Sequence, residues 1–357
     1  MTNYWCTNRK AIAAGDSPLL PQFQKAYEFM RCWLSGQMVF DLQTSGSTGL
    51  PKTITVNRRQ LEASARMTGT AFSLGKASRA LVCLNTDYVG GLMMLVRGME
   101  LDWQLTLTPA SSNPLQSVPD GSIFDFAALV PLQMENILES PESRCKLDDV
   151  DTILLGGAPV SESLISSLRS LPTKVYQSYG MTETLSHIAI RRLNPVPELT
   201  YSVLPGMEVG HDQRGCLFVR GGVTDGQLVQ TNDIVRFTSG DKFEWIGRAD
   251  HVINSGGIKI ILDLIDRQLG PILLEAGINA PFFSWYEPDD RLGQKLVLFL
   301  EHQGSEGVES TLKTRFLKAM KRYEVPKTIH FVAQFARTAT EKIDKLKTAD
   351  IVYKKHP

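Results

Sequence analysis

Thr44-Ser45-Gly46-Ser47-Thr48-Gly49-Leu50-Pro51-Lys52 is the stretch on which the reading of this chain turns. Glycine lets a backbone come close to an anion, hydroxyls and amides supply donors, and a lysine adds a mobile positive charge, so the loop suits a polyphosphate. It is not a Walker A loop, because Lys52 follows Pro51 and is separated from Gly49. A kinase-type or GTPase-type phosphate loop is thereby set aside. In isolation, a plain Ser/Gly surface turn remains the competing reading.

Outward from this loop, short apolar runs at 80–84, 104–108 and 152–155 read as strands, and the segments between them are long enough for helices. That alternation predicts a layered α/β domain. Asn57 with Gln60 fits a capping box opening a helix whose Leu61, Ala65, Thr68 and Phe72 share one face. From 214 to 245 glycine-rich turns separate short β-like pieces at 216–220 and 227–230, which reads as a small sheet closing the first domain. Beyond Trp245 come a helical pattern at 260–269, a strand at 295–300, a charged helix at 309–322 and a strand at 328–332, the order of a compact α+β lid. The boundary is placed at 248–250, giving an N-terminal domain over 1–247 and a lid over 248–357.

The 357 residues carry 38 basic and 38 acidic side chains, so no overall field draws the protein to nucleic acid or to an anionic membrane. The cysteines at 6, 32, 83, 145 and 216 are scattered, without a Cys-x-x-Cys pair, and read as reduced thiols. The N-terminus lacks a signal-peptide pattern. Asn85, Asp87 and Arg97 interrupt the most apolar stretch, so no membrane span is expected there. A cytoplasmic protein follows.

A second segment, Tyr176-Gln177-Ser178-Tyr179-Gly180-Met181-Thr182-Glu183-Thr184, sets an aromatic residue, a glycine and an acid among hydroxyls. Tyr179 can stack on a base, and Glu183 can hold Mg²⁺ against phosphate oxygens, since hard cations take oxygen ligands. A strand end leading into a capped helix is the competing reading.

Taken together the motifs resemble those of the adenylate-forming superfamily of acyl-CoA ligases, luciferases and peptide-synthetase adenylation domains. Residues 44–52 look like its phosphate loop, Leu155-Gly156-Gly157-Ala158-Pro159 like its adenine-side glycine segment, and 176–184 like its aromatic and acidic motif. Thr231-Asn232-Asp233 resembles the ribose-binding aspartate segment, Gly247-Arg248-Ala249-Asp250 the hinge, and 337–344 the catalytic-lysine motif. Six motifs in the family's order are far more specific than any one.

The resemblance implies an adenylate-forming α/β fold, with a large N-terminal domain and a small C-terminal α+β lid. It implies that Thr44, Ser45, Gly46, Ser47, Thr48, Gly49 and Lys52 wrap the β- and γ-phosphates of ATP, with Thr182 and Glu183 positioning phosphate and Mg²⁺. Gly157, Ala158, Tyr179 and Gly180 would frame adenine, and Asp233, assisted by Arg248, would take the ribose hydroxyls. Lys342 would bridge the attacking carboxylate and the α-phosphate. Asp250 would be the hinge pivot, and the turn at Gly257 would line the entrance for the pantetheine arm of coenzyme A. Out of context, an Asp capping a turn, a solvated lysine and an ordinary β-turn are the plain readings of Asp233, Lys342 and Gly257.

Three departures stand out. Only 43 residues precede the phosphate loop, so the first domain is shortened at its start relative to the family. Tyr88 stands in place of the histidine where the family typically has an aromatic residue or histidine before its glycine pair, and Glu341 where the lysine motif has glycine. Among the branches, the Tyr-Gly-Met-Thr-Glu-Thr-Leu-Ser-His stretch and the Leu-Gly-Gly-Ala-Pro segment look most like the o-succinylbenzoate-CoA ligases of menaquinone synthesis. The substrate this implies is an aryl carboxylic acid with a second carboxylate. Tyr88, Ser186 and His187 are the acyl-pocket candidates, although a satisfied core histidine is an equal reading of His187. Loading of a carrier protein and a non-catalytic nucleotide-binding role stay open, as does the oligomeric state, a homo-oligomer included.

Overall fold

The computed structural model describes residues 3–43, 53–304, 307–337 and 343–355. The readings placed on Thr44, Ser45, Gly46, Ser47, Thr48, Gly49, Lys52, Glu341 and Lys342 lie outside the described residues. The chain divides into two compact units, one of Met1–Gly210, Phe218–Gln230 and Phe237–Glu244, the other of His211–Leu217, Thr231–Arg236 and Trp245–Pro357.

Up to residue 203 the strands are β1 (Trp5–Asn8), β2 (Val39–Gln43), β3 (Thr53–Asn57), β4 (Arg79–Val82), β5 (Gln104–Leu107), β6 (Phe124–Leu129), β7 (Val150–Leu155), β8 (Lys174–Gly180), β9 (His187–Arg192) and β10 (Tyr201–Val203). The helices over the same span are α1 (Arg9–Ala13), α2 (Gln24–Leu34), α3 (Arg58–Ala71), α4 (Val89–Leu101), α5 (Pro131–Glu139), α6 (Pro141–Lys146) and α7 (Glu162–Leu168). The main sheet of the first unit runs β1-β5-β4-β6-β7-β8-β9-β10. β5, β4, β6, β7 and β8 are parallel, while β1 and β9 are antiparallel to their neighbours. β2 and β3 form a separate hairpin ladder.

The apolar runs of these central strands make sense once both sheet faces are covered. Side chains alternate across a strand, and the two faces feed different cores. Ala80, Val82, Phe126 and Leu154 join a cluster with Met30, Leu61 and Met94 from α2, α3 and α4. Leu81, Ala127, Leu129, Ile153 and Leu155 join another with Met134, Ile137, Leu164 and Leu168 from α5 and α7. The capping box at α3 is formed: Gln60 N donates to Asn57 Oδ1 and Asn57 N donates to Gln60 Oε1, each at 3.0 Å.

Then come β11 (Met207–His211), β12 (Cys216–Gly221), β13 (Val229–Ser239) and β14 (Lys242–Arg248). β15 (Val252–Ser255), β16 (Ile258–Ile261), β17 (Phe282–Asp289), β18 (Gly293–Glu301) and β19 (Thr328–Val332) form the sheet of the second unit, with order β16-β15-β18-β17 and β19 parallel to β18. Its helices are α8 (Leu262–Glu275), α9 (Val308–Ala319) and α10 (Lys345–Lys355). Leu296, Leu298 and Leu300 of β18 pack with α8 and α9, while Val297 and Phe299 pack with Phe283, Phe335 and Ala349 of α10.

The helix expected over 260–269 starts later, at Leu262. Ile258–Ile261 is a strand paired with β15, Ile260 opposite Ile253. Isoleucines with stiff χ1 angles suit a pleated ladder better than a first helical turn. The strand expected at 227–230 begins at Val229, and the helix expected over 309–322 ends at Ala319, where Met320 turns extended. No helix among the described residues is long and apolar enough to cross a membrane.

Candidate active site

Parallel strands present their carboxyl ends at one sheet edge, and open α/β sheets take ligands there. β4 leads to Tyr88, the N-cap of α4; β7 leads to Gly157 and Ala158; β8 ends at Gly180. A single 3₁₀ turn, Thr182–Thr184, follows, and His187 opens the antiparallel β9. Topology therefore brings Tyr88, Gly157, Ala158, Gly180, Thr182, Glu183, Ser186 and His187 to the same edge. Glu183 is exposed there, and Tyr179 lies edge-on to Tyr201 and Phe243, with ring centroids 5.7 and 5.3 Å away.

The backbone here is specialised. Gly157 has φ +84°, a conformation glycine adopts without strain. A Cβ on Gly180 would sit 2.2 Å from Ser186 O, so the turn closes only with hydrogen at that position. Leu185 holds φ +61° although its side chain is buried, a strained residue between Glu183 and Ser186.

Behind the edge lies a group that the sequence reading passed over. Arg97 on α4 is only 2% exposed. Its Nε donates to Thr68 Oγ1 at 3.0 Å, its Nη2 to Ser186 Oγ at 2.9 Å, and its Nη1 lies 3.4 Å from Met94 Sδ. Every one of these partners is neutral, and among the described residues Arg97 makes no carboxylate pair. Desolvation lowers its pKa to about 10, which leaves it charged at neutral pH.

Proton counting fixes the histidine beside it. Thr68 Oγ1 gives its hydrogen to Ser64 O at 3.1 Å, so toward His187 Nε2, 3.4 Å away, it accepts. His187 therefore carries its proton on Nε2, and Nδ1 accepts from Ser186 Oγ at 3.2 Å. Burial, with Arg97 adding repulsion, holds its pKa well below the usual value, so the ring is neutral. Of the two readings left open for His187, a buried and hydrogen-bonded histidine describes its surroundings. The signal for Arg97 was present in the sequence, as a charge that follows directly on the apolar run 92–96 of α4.

In the second unit, Asp233 accepts from Trp245 Nε1 at 3.2 Å and lies 3.8 Å from Arg248 Nη1. Arg248 grips Asp250 with two parallel bonds of 2.9 and 3.0 Å. Burial pushes Asp250 up, but the Arg248 bonds outweigh it and hold the carboxyl below the usual range. Gly257 has φ +82° and nothing within 4 Å of where a Cβ would stand, so the turn between β15 and β16 is open. In the first unit, a cavity of about 390 Å³ is lined by Phe29, Leu42, Thr86, Val89, Leu92 and Leu95, with Lys25 and Asp87, themselves paired at 3.1 Å, also in its wall.

Comparison with known proteins agrees with this architecture. A family model described as AMP-binding enzyme matches residues 34–221. The crystal structure of the acyl-CoA synthetase (AMP-forming)/AMP-acid ligase II-like protein from Dyadobacter fermentans DSM 18053 is 50% identical, covering 98% of this chain and 99% of that one with a TM-score of 0.69. The probable 2-succinylbenzoate–CoA ligase of Mycobacterium tuberculosis is 23% identical over 94% of this chain and 91% of that protein. The o-succinylbenzoate CoA synthetase from Bacillus subtilis, in complex with the acyl-adenylate intermediate OSB-AMP, is 20% identical, covers 86% of this chain and 68% of that one, and superposes with a TM-score of 0.69.

Proposed function

The chain belongs to the AMP-binding enzyme family and has the fold of adenylate-forming enzymes, and from that premise we propose that it is an ATP-dependent ligase joining an aryl dicarboxylic acid, o-succinylbenzoate, to coenzyme A. The carboxylate attacks the α-phosphorus of ATP, pyrophosphate leaves, and acyl-AMP forms. The thiol then attacks the acyl carbonyl, AMP leaves, and one proton is released.

The observation that carries this reading is Arg97. A buried cation held only by neutral partners bears a desolvation cost of several kcal/mol that a buried anion offsets. Such a cation lies behind Ser186 and His187, beside Met94, with the Phe72 ring packed against both Tyr176 and His187. An aryl acid with a second carboxylate matches both features, whereas a simple fatty or aryl monoacid leaves the guanidinium uncompensated. The names of the M. tuberculosis and B. subtilis relatives, both given for o-succinylbenzoate, support the same substrate.

The remaining roles belong to this proposal. Tyr179, Gly157, Ala158 and Gly180 frame adenine, and the open, positive-φ backbone at Gly157 lets a ligand approach closely. Asp233 takes the ribose, with Arg248 beside it. Glu183, an exposed carboxylate at the edge, fits an oxygen ligand for the Mg²⁺ that accompanies ATP and neutralises its phosphates. Residues 44–52 take the phosphates, Lys342 steadies the reacting oxygens, Asp250 is the pivot and Gly257 flanks the thiol arm. Residues 1–247 form the ATP- and acid-binding domain, with 248–357 as a lid. The protein acts in the cytoplasm.

The deciding experiment is ATP–pyrophosphate exchange and thioester formation with coenzyme A, comparing o-succinylbenzoate with benzoate. Exchange and thioester with the diacid, weak or absent with benzoate, is expected. Equal rates with both acids would remove the diacid reading; exchange without coenzyme A turnover would point to a carrier protein as acceptor. No exchange with any aryl acid would remove the enzymatic reading altogether.

A further inference from the structure

Lys342 lies outside the described residues, but both flanks of its segment are tied down within the second unit. Before it, Phe335 N donates to Glu301 Oε2 at 2.8 Å. After it, Asp344 N donates to Ala336 O at 2.8 Å, and Ile343 pairs with Arg337 in an antiparallel bridge. Ala336-Arg337 and Ile343-Asp344 thus form a short stem. Asp344 then caps α10, its Oδ1 accepting from Lys347 N at 3.0 Å.

The next side chain is the anchor. Lys345 Nζ reaches Asp266 Oδ2 on α8 at 3.3 Å and sits 5.6 Å from the Phe283 ring centroid. Asp266 Oδ1 in turn accepts from Ser284 N on β17 at 2.6 Å. The two side chains are 24% and 23% exposed, so this is a pair inside the unit's surface. Its geometry differs from that of a solvated pair, whose contribution is small. The rest of α10 is held independently: Thr348 Oγ1 accepts from Ala336 N at 3.0 Å, Tyr353 donates its hydroxyl to Tyr286 O at 2.9 Å, and Ala349 is buried against Phe283, Val297, Phe299 and Phe335.

We propose that Lys345 is a positioning residue for the adenylation step, fixing through Asp266 the stem and first helical turn that adjoin Lys342. This rests on the role given to Lys342 above. Lys345 follows Lys342 by three residues and is the anchor in the first turn of α10. Its loss frees that turn while the helix stays docked through Thr348, Ala349 and Tyr353. The thioester step starts from acyl-adenylate already formed, so it has no need of a lysine held for the first reaction.

The test uses the full chain with Lys345→Met and Lys345→Arg. For Lys345→Met, kcat for ATP–pyrophosphate exchange with o-succinylbenzoate is expected to fall at least about tenfold with KM for ATP within about twofold. Thioester formation from supplied acyl-adenylate and coenzyme A should stay within about twofold of wild type, and Lys345→Arg should recover most of the exchange rate. Equal loss in both half-reactions, unchanged exchange, or no recovery by arginine overturns the proposal. Hydrogen–deuterium exchange supplies a readout independent of activity: the amides of Asp344 and Thr348, which donate to Ala336 O and Asp344 O, should exchange faster in Lys345→Met, and unchanged protection also overturns it. If wild type shows no pyrophosphate exchange, the enzymatic reading fails, while the amide measurement still decides whether Lys345 holds the stem.

Discussion

Arg97 Nη2 stands 2.9 Å from Ser186 Oγ, and through that bond a helix facing one core is joined to the turn that ends the 3₁₀ segment at Thr184. The same guanidinium holds Thr68 on α3, so three elements meet on one charge. Replacing Arg97 with lysine keeps the charge but loses the planar fork. Arg97→Lys is expected to lower kcat/KM for a dicarboxylic aryl acid about tenfold to a hundredfold, a loss of about 1.4–2.7 kcal/mol, while kcat/KM for benzoate changes little. Steady-state kinetics with both acids checks this, and a parallel fall for both would place the effect in folding.

His187 gives the fold a pH dependence of known sign. Its folded pKa lies well below that of a free histidine, so below about pH 6.5 the unfolded chain binds a proton that the folded chain refuses. Stability is then full above about pH 6.5 and falls on acidification, with a limiting slope near 1.4 kcal/mol per pH unit from this group. Urea titrations between pH 5 and 7.5 should show that slope in wild type and a flatter profile in His187→Gln. Equal slopes in the two proteins would mean that His187 is not the group responsible.

Much of the fold is legible because it is local. The run 328–332 carries β-branched residues after Pro326 and is a strand over those residues. Asn57 and Gln60 announce α3 through capping alone, since both partners lie within four residues. The bounds fail where two periods compete, as in the isoleucines at 258, 260 and 261, whose partner strand decides the matter. The surroundings of the candidate site were less legible for a different reason. Arg97, Thr68 and Ser186 meet across separations of 29 and 89 residues, and no local pattern encodes that meeting. In one dimension Arg97 merely interrupts an apolar stretch. Burial is what turns it into a reason for an anionic ligand.

The capping box offers a cleaner test of local encoding. Asn57→Ala removes the acceptor for Gln60 N and should cost about 0.5–2 kcal/mol of stability. Asn57→Gly should cost only a few tenths of a kcal/mol, because a glycine N-cap leaves its neighbouring amides open to water. Paired denaturation curves check the ordering, and equal losses would show that the cap bonds contribute little beside the packing of Leu61 and Ala65.

Gly180 joins β8 to the candidate edge by proximity rather than by flexibility. A Cβ there meets Ser186 O at 2.2 Å and His187 Cα at 2.6 Å, both backbone atoms that no rotamer change can move aside. Gly180→Ala must therefore push the Ser186-His187 backbone away from β8, opening the irregular pairing between Gly180 and His187. The displacement pulls Ser186 from Arg97 and His187 from Thr68 together. The expected result is a loss of about 1–3 kcal/mol, in the range of overpacking, with the acid slope assigned to His187 diminished in the same variant. Gly157→Ala supplies the contrast. Its Cβ would meet only Val130 Cγ1 at an ordinary 3.5 Å, so its cost comes from the positive φ alone, about 1–2 kcal/mol, and the acid slope should persist. A Gly180→Ala protein that keeps the full slope would show that the edge holds together without this close approach.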